Sequence, residues 1–248
     1  MRDRAELAVR TLTPERGAAA AAPPVLLLHG FGSSGHTDWV ETGIAAALTG
    51  AGRTVVLPDL RGHGNSPAPA AAREVTAAGF AADLLALLDA QGARTADVVA
   101  YSLGARIAWE LAATAPDRVE RAVLGGLGPA EPFEAVDVDA LRAAVGGAGE
   151  PRDPLTAAVA GMVRAHGEAA PGLVLCVEGL RSTPFRPTAW AGATPPVLVV
   201  GQDDMLVRGT EQILGVLGAA ELVSVPGDHQ QALSGDAFRH TVLRVLAR

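Results

Sequence analysis

Lysine is absent from the 248-residue sequence, whose 20 basic residues are all arginine. Catalysis through a lysine Schiff base or a Ser-Lys dyad is therefore excluded. The single cysteine, Cys176, has no partner for an intramolecular disulfide, so the fold does not require an oxidising compartment. No apolar run approaches the ~18 residues of a membrane span, and residues 1–6 alternate charges where a signal peptide would be apolar. We therefore expect a cytoplasmic protein without a membrane partner.

A basic surface is also missing. The formal net charge is −7 and the arginines form no cluster, which argues against a nucleic acid as partner. Hydrophobic residues make up 49% of the sequence and charged residues 19%, as is typical of a globular chain. The length fits one α/β domain with a modest insertion better than two complete domains.

Short apolar runs alternate with segments of helical periodicity along most of the chain. Strands are predicted over residues 5–12, 25–28, 53–57, 95–100, 121–126, 196–201 and 221–225. Helices are predicted over residues 39–48, 77–88, 103–113 and 236–246, with a surface connection over 14–24. Continuous apolar runs are typical of strands that are buried on both faces. The alternation predicts an α/β fold with a doubly wound, mostly parallel sheet.

Residues 128–190 interrupt this alternation with a proline-rich, acidic segment. Helical periodicity inside it predicts helices over 138–145 and 155–166. We interpret the segment as a small helical cap over the carboxyl edge of the sheet, where open α/β sheets bind ligands. The core of the fold then consists of residues 1–127 and 191–248.

Residues 97–106 form an apolar, strand-like run that breaks at Ser102 and continues as a helix. The small residues Ala100 and Gly104 would let strand and helix approach each other, as in a nucleophile elbow. In that geometry the Ser102 hydroxyl stands clear of the sheet, and the backbone N–H of Leu103 points at the group under attack. The segment alone fits equally well a serine that caps the following helix.

A glycine-rich loop, residues 29–35, follows the predicted strand 25–28. It lacks the spacing of phosphate-binding loops, so we expect no nucleotide and no other cofactor. Glycines also bring backbone N–H groups close to a ligand oxygen, which makes the N–H of Phe31 a second oxyanion donor beside that of Leu103. We expect His29 to order this loop through hydrogen bonds of its ring.

A second polar loop, residues 58–66, contains Asp59, Arg61 and His63. An arginine beside a carboxylate is a poor neighbour for a metal ion, so we interpret this loop as a hydrogen-bonded turn. We expect no metal site in the chain.

A serine is a poor nucleophile at neutral pH unless a base takes its proton and a carboxylate orients that base. The sequence supplies these groups in the order Ser102, then Asp203 or Asp204, then His229, each after a predicted strand. This Ser, Asp, His order is the one used by hydrolases with an α/β sheet.

Five segments together resemble the α/β-hydrolase superfamily, and the likeness spans nearly the whole chain outside the insertion. The segments are residues 29–32, 59–66, 100–104, 201–204 and 227–229. The resemblance implies a catalytic triad of Ser102, Asp204 and His229, with Asp203 as the second choice for the acid. A serine at the elbow argues against epoxide and haloalkane hydrolases, which resemble this pattern but use an aspartate there.

Two residues depart from the pattern of that superfamily. Ala100 replaces the first glycine of the elbow, which sterics should tolerate. Asp228 replaces the glycine often found before the histidine, where it either tunes the environment of His229 or faces solvent.

We therefore predict a serine hydrolase of the carboxylesterase type, which cleaves small carboxylic esters through the triad and an acyl-enzyme intermediate. The backbone of Phe31 and Leu103 is predicted to form the oxyanion hole, and Tyr101 and Arg106 to contact the substrate. A small-molecule ester is the expected partner, and the sequence leaves the oligomeric state open.

Two alternatives remain at this point. Residues 101–108, together with 29–35 and 38–39, resemble the menaquinone-pathway synthase branch, which implies a carbon–carbon bond hydrolase or lyase acting on a polycarboxylate. Arg106, together with Arg181 and Arg186 in the insertion, would then bind the carboxylates. The other alternative is a catalytically silent member of the fold that only binds a small molecule.

Overall fold

The computed structural model describes residues 5–14, 22–217 and 220–247. Residues 1–4, which entered the prediction about a signal peptide, and 15–21 of the predicted connection lie outside the described residues. Among the described residues, no helix combines the length and the apolar character needed to cross a membrane.

A seven-stranded, mostly parallel sheet forms the centre of the fold, which confirms the predicted class. The strands are β1 (Val9–Leu12), β2 (Val25–Leu28), β3 (Val55–Pro58), β4 (Ala96–Tyr101), β5 (Val119–Gly125), β6 (Val197–Gly201) and β7 (Glu221–Val225). Their order is β1-β3-β2-β4-β5-β6-β7, and only the edge pair β1/β3 is antiparallel. Strands β2, β3 and β4 are buried along their whole length, and all their residues except Asp97 are apolar or aromatic, without alternation.

Helices cover both faces of the sheet. They are α1 (Ile44–Gly50), α2 (Ala77–Ala90), α3 (Leu103–Thr114), α4 (Val138–Val145), α5 (Pro154–Arg164), α6 (Ala170–Ser182), α7 (Glu211–Leu217), α8 (His229–Ser234) and α9 (Asp236–Leu246). Leu27 and Val99 belong to one apolar cluster, with residues of α1 and α9. Leu26 and Val98 point to the other face and belong to the cluster that contains α2 and α3. The alternation of side chains along each strand produces these two cores.

The predicted helix over 39–48 is not continuous. A π-helical turn covers His36–Glu41, and α1 starts only at Ile44. Gly43 separates the two with a φ of +76°, a left-handed conformation that ends a helix. The predicted helix over 77–88 is present as α2, and the chain turns away at Gly92 with a φ of +64°.

Residues 128–190 contain three helices, of which α6 was not predicted from the sequence. Pro171 and Gly172 at its start resemble helix breakers, yet a proline in the first turn costs no hydrogen bond. Gly179 serves close packing, because a Cβ there would lie 2.5 Å from the carbonyl oxygen of Ala72 and 2.6 Å from that of Val75. The assignment of 128–190 as a cap separate from the core stays a prediction.

Candidate active site

Ser102 lies on the sharp turn between β4 and α3, with φ 53° and ψ −116°. In the described part of the chain it is the only non-glycine residue with a positive φ, a strain that is found at functional sites. A Cβ on Gly104 would lie 2.1 Å from the carbonyl oxygen of Leu28, so β2 and α3 can approach each other this closely only because residue 104 is a glycine. The Ser102 side chain makes no capping hydrogen bond to α3, and this geometry favours the elbow over the helix cap.

Asp204 and His229 come together from the ends of two other strands. Asp204 follows β6 and His229 follows β7, and Asp204 Oδ2 lies 2.6 Å from His229 Nδ1. The Asp204 side chain is fully buried, and its Oδ1 accepts the backbone N–H of Leu206 at 3.0 Å. Asp203 is exposed. The structure therefore brings Asp204, not Asp203, to the histidine.

Asp228, which departs from the family pattern, is exposed and caps helix α8. Its Oδ1 accepts the backbone N–H groups of Gln230 at 3.0 Å and of Gln231 at 2.9 Å. The Gln231 side chain in turn accepts the backbone N–H of Asp228 at 3.1 Å. This reciprocal capping box fixes the first turn of α8, where His229 is the first residue.

Tyr101 contacts His229 through both its hydroxyl and its ring. Its hydroxyl donates to the backbone carbonyl oxygen of His229 at 2.6 Å, and its ring packs against His229 and Phe238. Burial raises the pKa of Tyr101, and nearby carboxylates including Asp204 raise it further. The prediction that Tyr101 contacts the substrate does not fit this position, because Tyr101 is buried, does not line the cavity that Ser102 and His229 line, and uses its hydroxyl for the bond to His229.

The loop after β2 contains a tight turn with Phe31 as its first central residue. The backbone N–H of Ser33 donates to the carbonyl oxygen of Gly30 at 3.2 Å, and Gly32 has the positive φ of 70° that such a turn requires of its second central residue. Leu103 is the first residue of α3, so its N–H has no acceptor within that helix. Phe31 and Leu103 line the same cavity as Ser102.

This cavity has a volume of about 110 Å³ and lies at the carboxyl edge of the sheet. Ser102 and His229 both line it, and most of the remaining wall is apolar. The apolar side chains of the wall are Phe31, Leu103, Leu127, Ala130, Pro132, Phe133, Phe185, Leu206 and Val207. Arg106 and Glu131 are the arginine and the acidic residue of the wall.

Arg106 and Glu131 form a buried ion pair, with 3.7 Å between Arg106 Nε and Glu131 Oε2. Burial lowers the pKa of the Arg106 guanidinium and raises that of the Glu131 carboxyl, while their mutual attraction opposes both effects. Arg106 also approaches Glu110 at 3.4 Å, donates to the carbonyl oxygen of Thr183 at 3.2 Å and stacks on Phe185. Its guanidinium thus joins α3 to both ends of the 128–190 segment.

The other two arginines considered for an anionic substrate do not reach the cavity. Arg181 and Arg186 are exposed and both contact Glu134. His166 of the same segment is partly buried. Its ring packs closely on Gly32, because a Cβ on that residue would lie 2.7 Å from His166 Nε2.

His29 and His63 have structural contacts, as the sequence predicts. His29 Nε2 accepts the backbone N–H of Leu60 at 2.9 Å, which assigns the proton to Nδ1 for donation to the carbonyl oxygen of Gly30 at 2.8 Å. Burial lowers the pKa of His29 and lowers that of His63 to about 3. Burial also raises the pKa of the Cys176 thiol to about 12. The described residues contain no group of three or more His, Cys, Asp or Glu that could hold a metal ion.

Two charged residues near Ser102 are not identified by the sequence analysis. Glu131 lines the cavity, and Asp38 lies under the Phe31 turn with an exposure of 5%. Each lies near other acidic residues of the sequence, and such residues are usually solvated. A carboxylate directly before the buried Trp39 was the available signal for Asp38.

Comparison with known proteins gives the same fold. A model of the alpha/beta hydrolase fold family matches residues 23–164. A hydrolase from Pseudomonas aeruginosa PA01 is 27% identical, with a TM-score of 0.69 over 98% of this chain and 95% of that chain. An enol-lactonase from Burkholderia xenovorans LB400 shares the fold, with 23% identity and a TM-score of 0.71 over 98% of this chain and 97% of that chain.

Curated sequences match over shorter stretches. An epoxide hydrolase from Caballeronia sordidicola is 40% identical over 105 residues, which are 42% of this chain and 31% of that protein. The matched segments span about a third of the length of such relatives. The family model, in contrast, covers more than half of the residues. The chain therefore belongs to the alpha/beta hydrolase fold family.

Proposed function

We propose that this protein is a serine hydrolase of the carboxylesterase type, acting on small carboxylic esters. The observation that carries the proposal is the 2.6 Å contact between a fully buried Asp204 and His229 on the cavity that Ser102 also lines. A buried carboxylate on Nδ1 keeps the proton there and leaves Nε2 free to act as a base. A strained serine at the same cavity supplies the nucleophile.

In the proposed reaction, Ser102 Oγ attacks the ester carbonyl carbon while His229 Nε2 takes the hydroxyl proton. The imidazolium that forms is stabilised by Asp204. His229 then gives the proton to the leaving alcohol, and the acyl group stays on Ser102. Water repeats the sequence on the acyl-enzyme, with His229 again as base, and releases the carboxylic acid.

The negative charge that develops on the carbonyl oxygen needs donors that are already in place. The backbone N–H groups of Phe31 and Leu103 are the proposed donors, one from a tight turn and one from the start of α3. Preorganised donors of this kind contribute about 10²- to 10³-fold each to kcat.

The proposed substrates have short, mainly apolar acyl groups. A cavity of about 110 Å³ is smaller than the ~300–1,000 Å³ of pockets for drug-sized ligands, and its wall is mostly aliphatic and aromatic. The opposite charges of Arg106 and Glu131 cancel, so the cavity wall has little net charge with which to attract an ionic substrate.

The epoxide hydrolases among the relatives make epoxide opening a second candidate reaction, but the serine at position 102 disfavours it. A carboxylate that opens an epoxide forms an ester, which water can cleave again. A serine that did so would form an ether, which resists hydrolysis and would block the enzyme after one turnover. Ser102 therefore supports esters over epoxides as substrates.

The lyase alternative needs several cations around a polycarboxylate. Only Arg106 of the three candidate arginines lines the cavity, and Glu131 beside it would repel a substrate carboxylate. These contacts support ester hydrolysis over the polycarboxylate reaction.

Two measurements test the proposal. A fluorophosphonate probe reacts only with an activated serine, so it separates an enzyme from a silent binding protein. We expect labelling of the wild-type protein and hydrolysis of p-nitrophenyl acetate and butyrate, with weaker activity on longer chains. We expect Ser102→Ala to lose both signals, while the matched control Ser34→Ala keeps them, because the Ser34 hydroxyl hydrogen-bonds to the nearby Thr37 side chain and backbone N–H.

Full ester turnover by Ser102→Ala would reject the proposal. Turnover of the menaquinone-pathway substrate or of an epoxide, in place of the p-nitrophenyl esters, would assign the site to the corresponding alternative.

A further inference from the structure

Asp38 is a buried carboxylate close to Ser102 that the proposed reaction does not use. It lies in the π-helical turn His36–Glu41, and its exposed fraction is 5%. Oδ2 accepts the backbone N–H of Gly30 at 2.8 Å, and Oδ1 accepts the hydroxyl of Ser33 at 2.5 Å. Both carboxylate oxygens are therefore bonded to the loop that carries Phe31.

These two contacts hold the two ends of the turn. Gly30 and Ser33 are its first and fourth residues, joined by the hydrogen bond from Ser33 N–H to the Gly30 carbonyl oxygen. Within such a turn the N–H of the first central residue, here Phe31, is not used by the turn itself. Fixing both ends fixes the direction in which that N–H points.

Gly30 lies between Asp38 and the nucleophile. A Cβ built on Gly30 would be 3.5 Å from Ser102 Cβ and 3.6 Å from Asp38 Oδ2. A shift of the Gly30 backbone is thus a shift relative to Ser102. Displacements of about 1 Å at a reacting centre can cost about 10²-fold in rate.

We propose that Asp38 is a positioning residue for the oxyanion hole, which holds the Phe31 N–H in place through its two hydrogen bonds to the ends of the turn. This inference rests on the proposed function, because it assigns the Phe31 N–H to a developing oxyanion. Asp38 touches neither substrate nor reacting atoms, and it acts through Gly30 and Ser33.

The charge of Asp38 works against an oxyanion, so its benefit must come from its geometry as an acceptor. An asparagine at this position can keep both contacts, because its oxygen accepts the Gly30 N–H and its amide nitrogen donates to the Ser33 hydroxyl oxygen. An alanine loses both. The two substitutions therefore separate hydrogen bonding from charge.

The test compares Asp38→Ala, Asp38→Asn and Ser33→Ala with the control Ser34→Ala in the full chain. For p-nitrophenyl butyrate we expect Asp38→Ala to lower kcat by about 10- to 100-fold, with KM changed by less than about threefold. Asp38→Asn should restore kcat to within about threefold of wild type, and Ser33→Ala, which removes one anchor, should fall between the two.

A trifluoromethyl ketone inhibitor supplies a readout that general destabilisation does not move. The Ser102 hydroxyl, as the proposed nucleophile, adds to the carbonyl carbon of the inhibitor and forms a tetrahedral oxyanion. The affinity for the inhibitor should therefore fall with kcat in Asp38→Ala and recover in Asp38→Asn. If Asp38→Ala does not fold by circular dichroism, the Ser33→Ala and Asp38→Asn variants decide the question in the same assays.

Three results would overturn the inference while the proposed function stands. They are wild-type kcat in both Asp38→Ala and Ser33→Ala, an Asp38→Asn variant as impaired as Asp38→Ala, and unchanged inhibitor affinity in variants with a lower kcat. A wild-type protein that neither turns over the ester nor reacts with the fluorophosphonate would overturn the proposed function and this inference with it.

Discussion

Acidification from pH 7 to pH 5 should destabilise this protein through His63. The ring is buried, and burial together with the neighbouring His29 holds its pKa at about 3. In the unfolded chain the pKa is about 6.5. Below pH 6.5 the unfolded state therefore takes up a proton that the native state does not, so stability falls as the pH decreases from about 6.5 towards 3.

The magnitude follows from the distance between pH 5 and the pKa of the unfolded histidine. A gap of about 1.5 pH units corresponds to a loss of about 2 kcal/mol for His63 alone, against about 0.2 kcal/mol at pH 7. Burial also lowers the pKa of His29, which adds a loss of the same sign. A loss of this size is a large fraction of the roughly 5–15 kcal/mol that stabilises a typical domain.

Urea unfolding at pH 7 and pH 5 measures the effect in the wild-type protein and in His63→Asn. Asparagine can still donate to the carbonyl oxygen of Arg61, which His63 Nδ1 contacts at 3.1 Å, but it does not titrate. We expect the variant to lose about 2 kcal/mol less than wild type between the two pH values. The exposed His240 provides the control, since His240→Asn should leave the pH dependence unchanged. An equal loss in His63→Asn and wild type would refute the reasoning.

Two further pairs of substitutions test the site and the elbow. Asp204→Asn should lower kcat for p-nitrophenyl butyrate by about 10⁴-fold, because the amide favours the wrong histidine tautomer, whereas Asp203→Asn should leave kcat unchanged; the reverse result would give Asp203 the role of the acid. Gly104→Ala should cost about 3 kcal/mol or more of unfolding free energy, because the new Cβ collides with the Leu28 carbonyl oxygen. Gly161→Ala on the open side of α5 should instead stabilise by about 0.5–1 kcal/mol, and similar stabilities of the two variants in thermal melts would contradict the packing argument.

The sheet was predictable because buried parallel strands leave an unambiguous local pattern. The runs at 25–28 and 95–100 have no polar interruption except Asp97, and each corresponds to a central strand of the sheet. The elbow at Ser102 left a local signal in Ala100 and Gly104, two positions before and after it, and the other segments of the family resemblance decided between the elbow and a helix cap. The choice of Asp204 over Asp203 came from the family resemblance and agrees with the contact to His229.

Features that depend on distant parts of the chain were not predictable in this way. Helix α6 contains Gly172 and Gly179, and glycine is unfavourable inside a helix. The close packing of α6 on residues 72–75 explains Gly179. Glu131 carries no local pattern, and the only local signal for Asp38 is the Trp39 that follows it. Both residues matter because the fold brings the Gly30 loop next to Asp38 and Arg106 next to Glu131. The contact of Tyr101 with His229 depends likewise on the fold, because the two residues are 128 positions apart in the chain.

The division of the cavity between two parts of the chain bears on how such a protein can diversify. Ser102, Asp204 and His229 each follow the carboxyl end of a strand, outside residues 128–190. That segment contributes Glu131, together with two aromatic rings, to the wall that faces them. In the proposed reaction the reacting groups thus come from one part of the chain and a portion of the cavity wall from another. We therefore expect exchange of residues 128–190 between homologues to change the substrate range while the reacting groups stay the same.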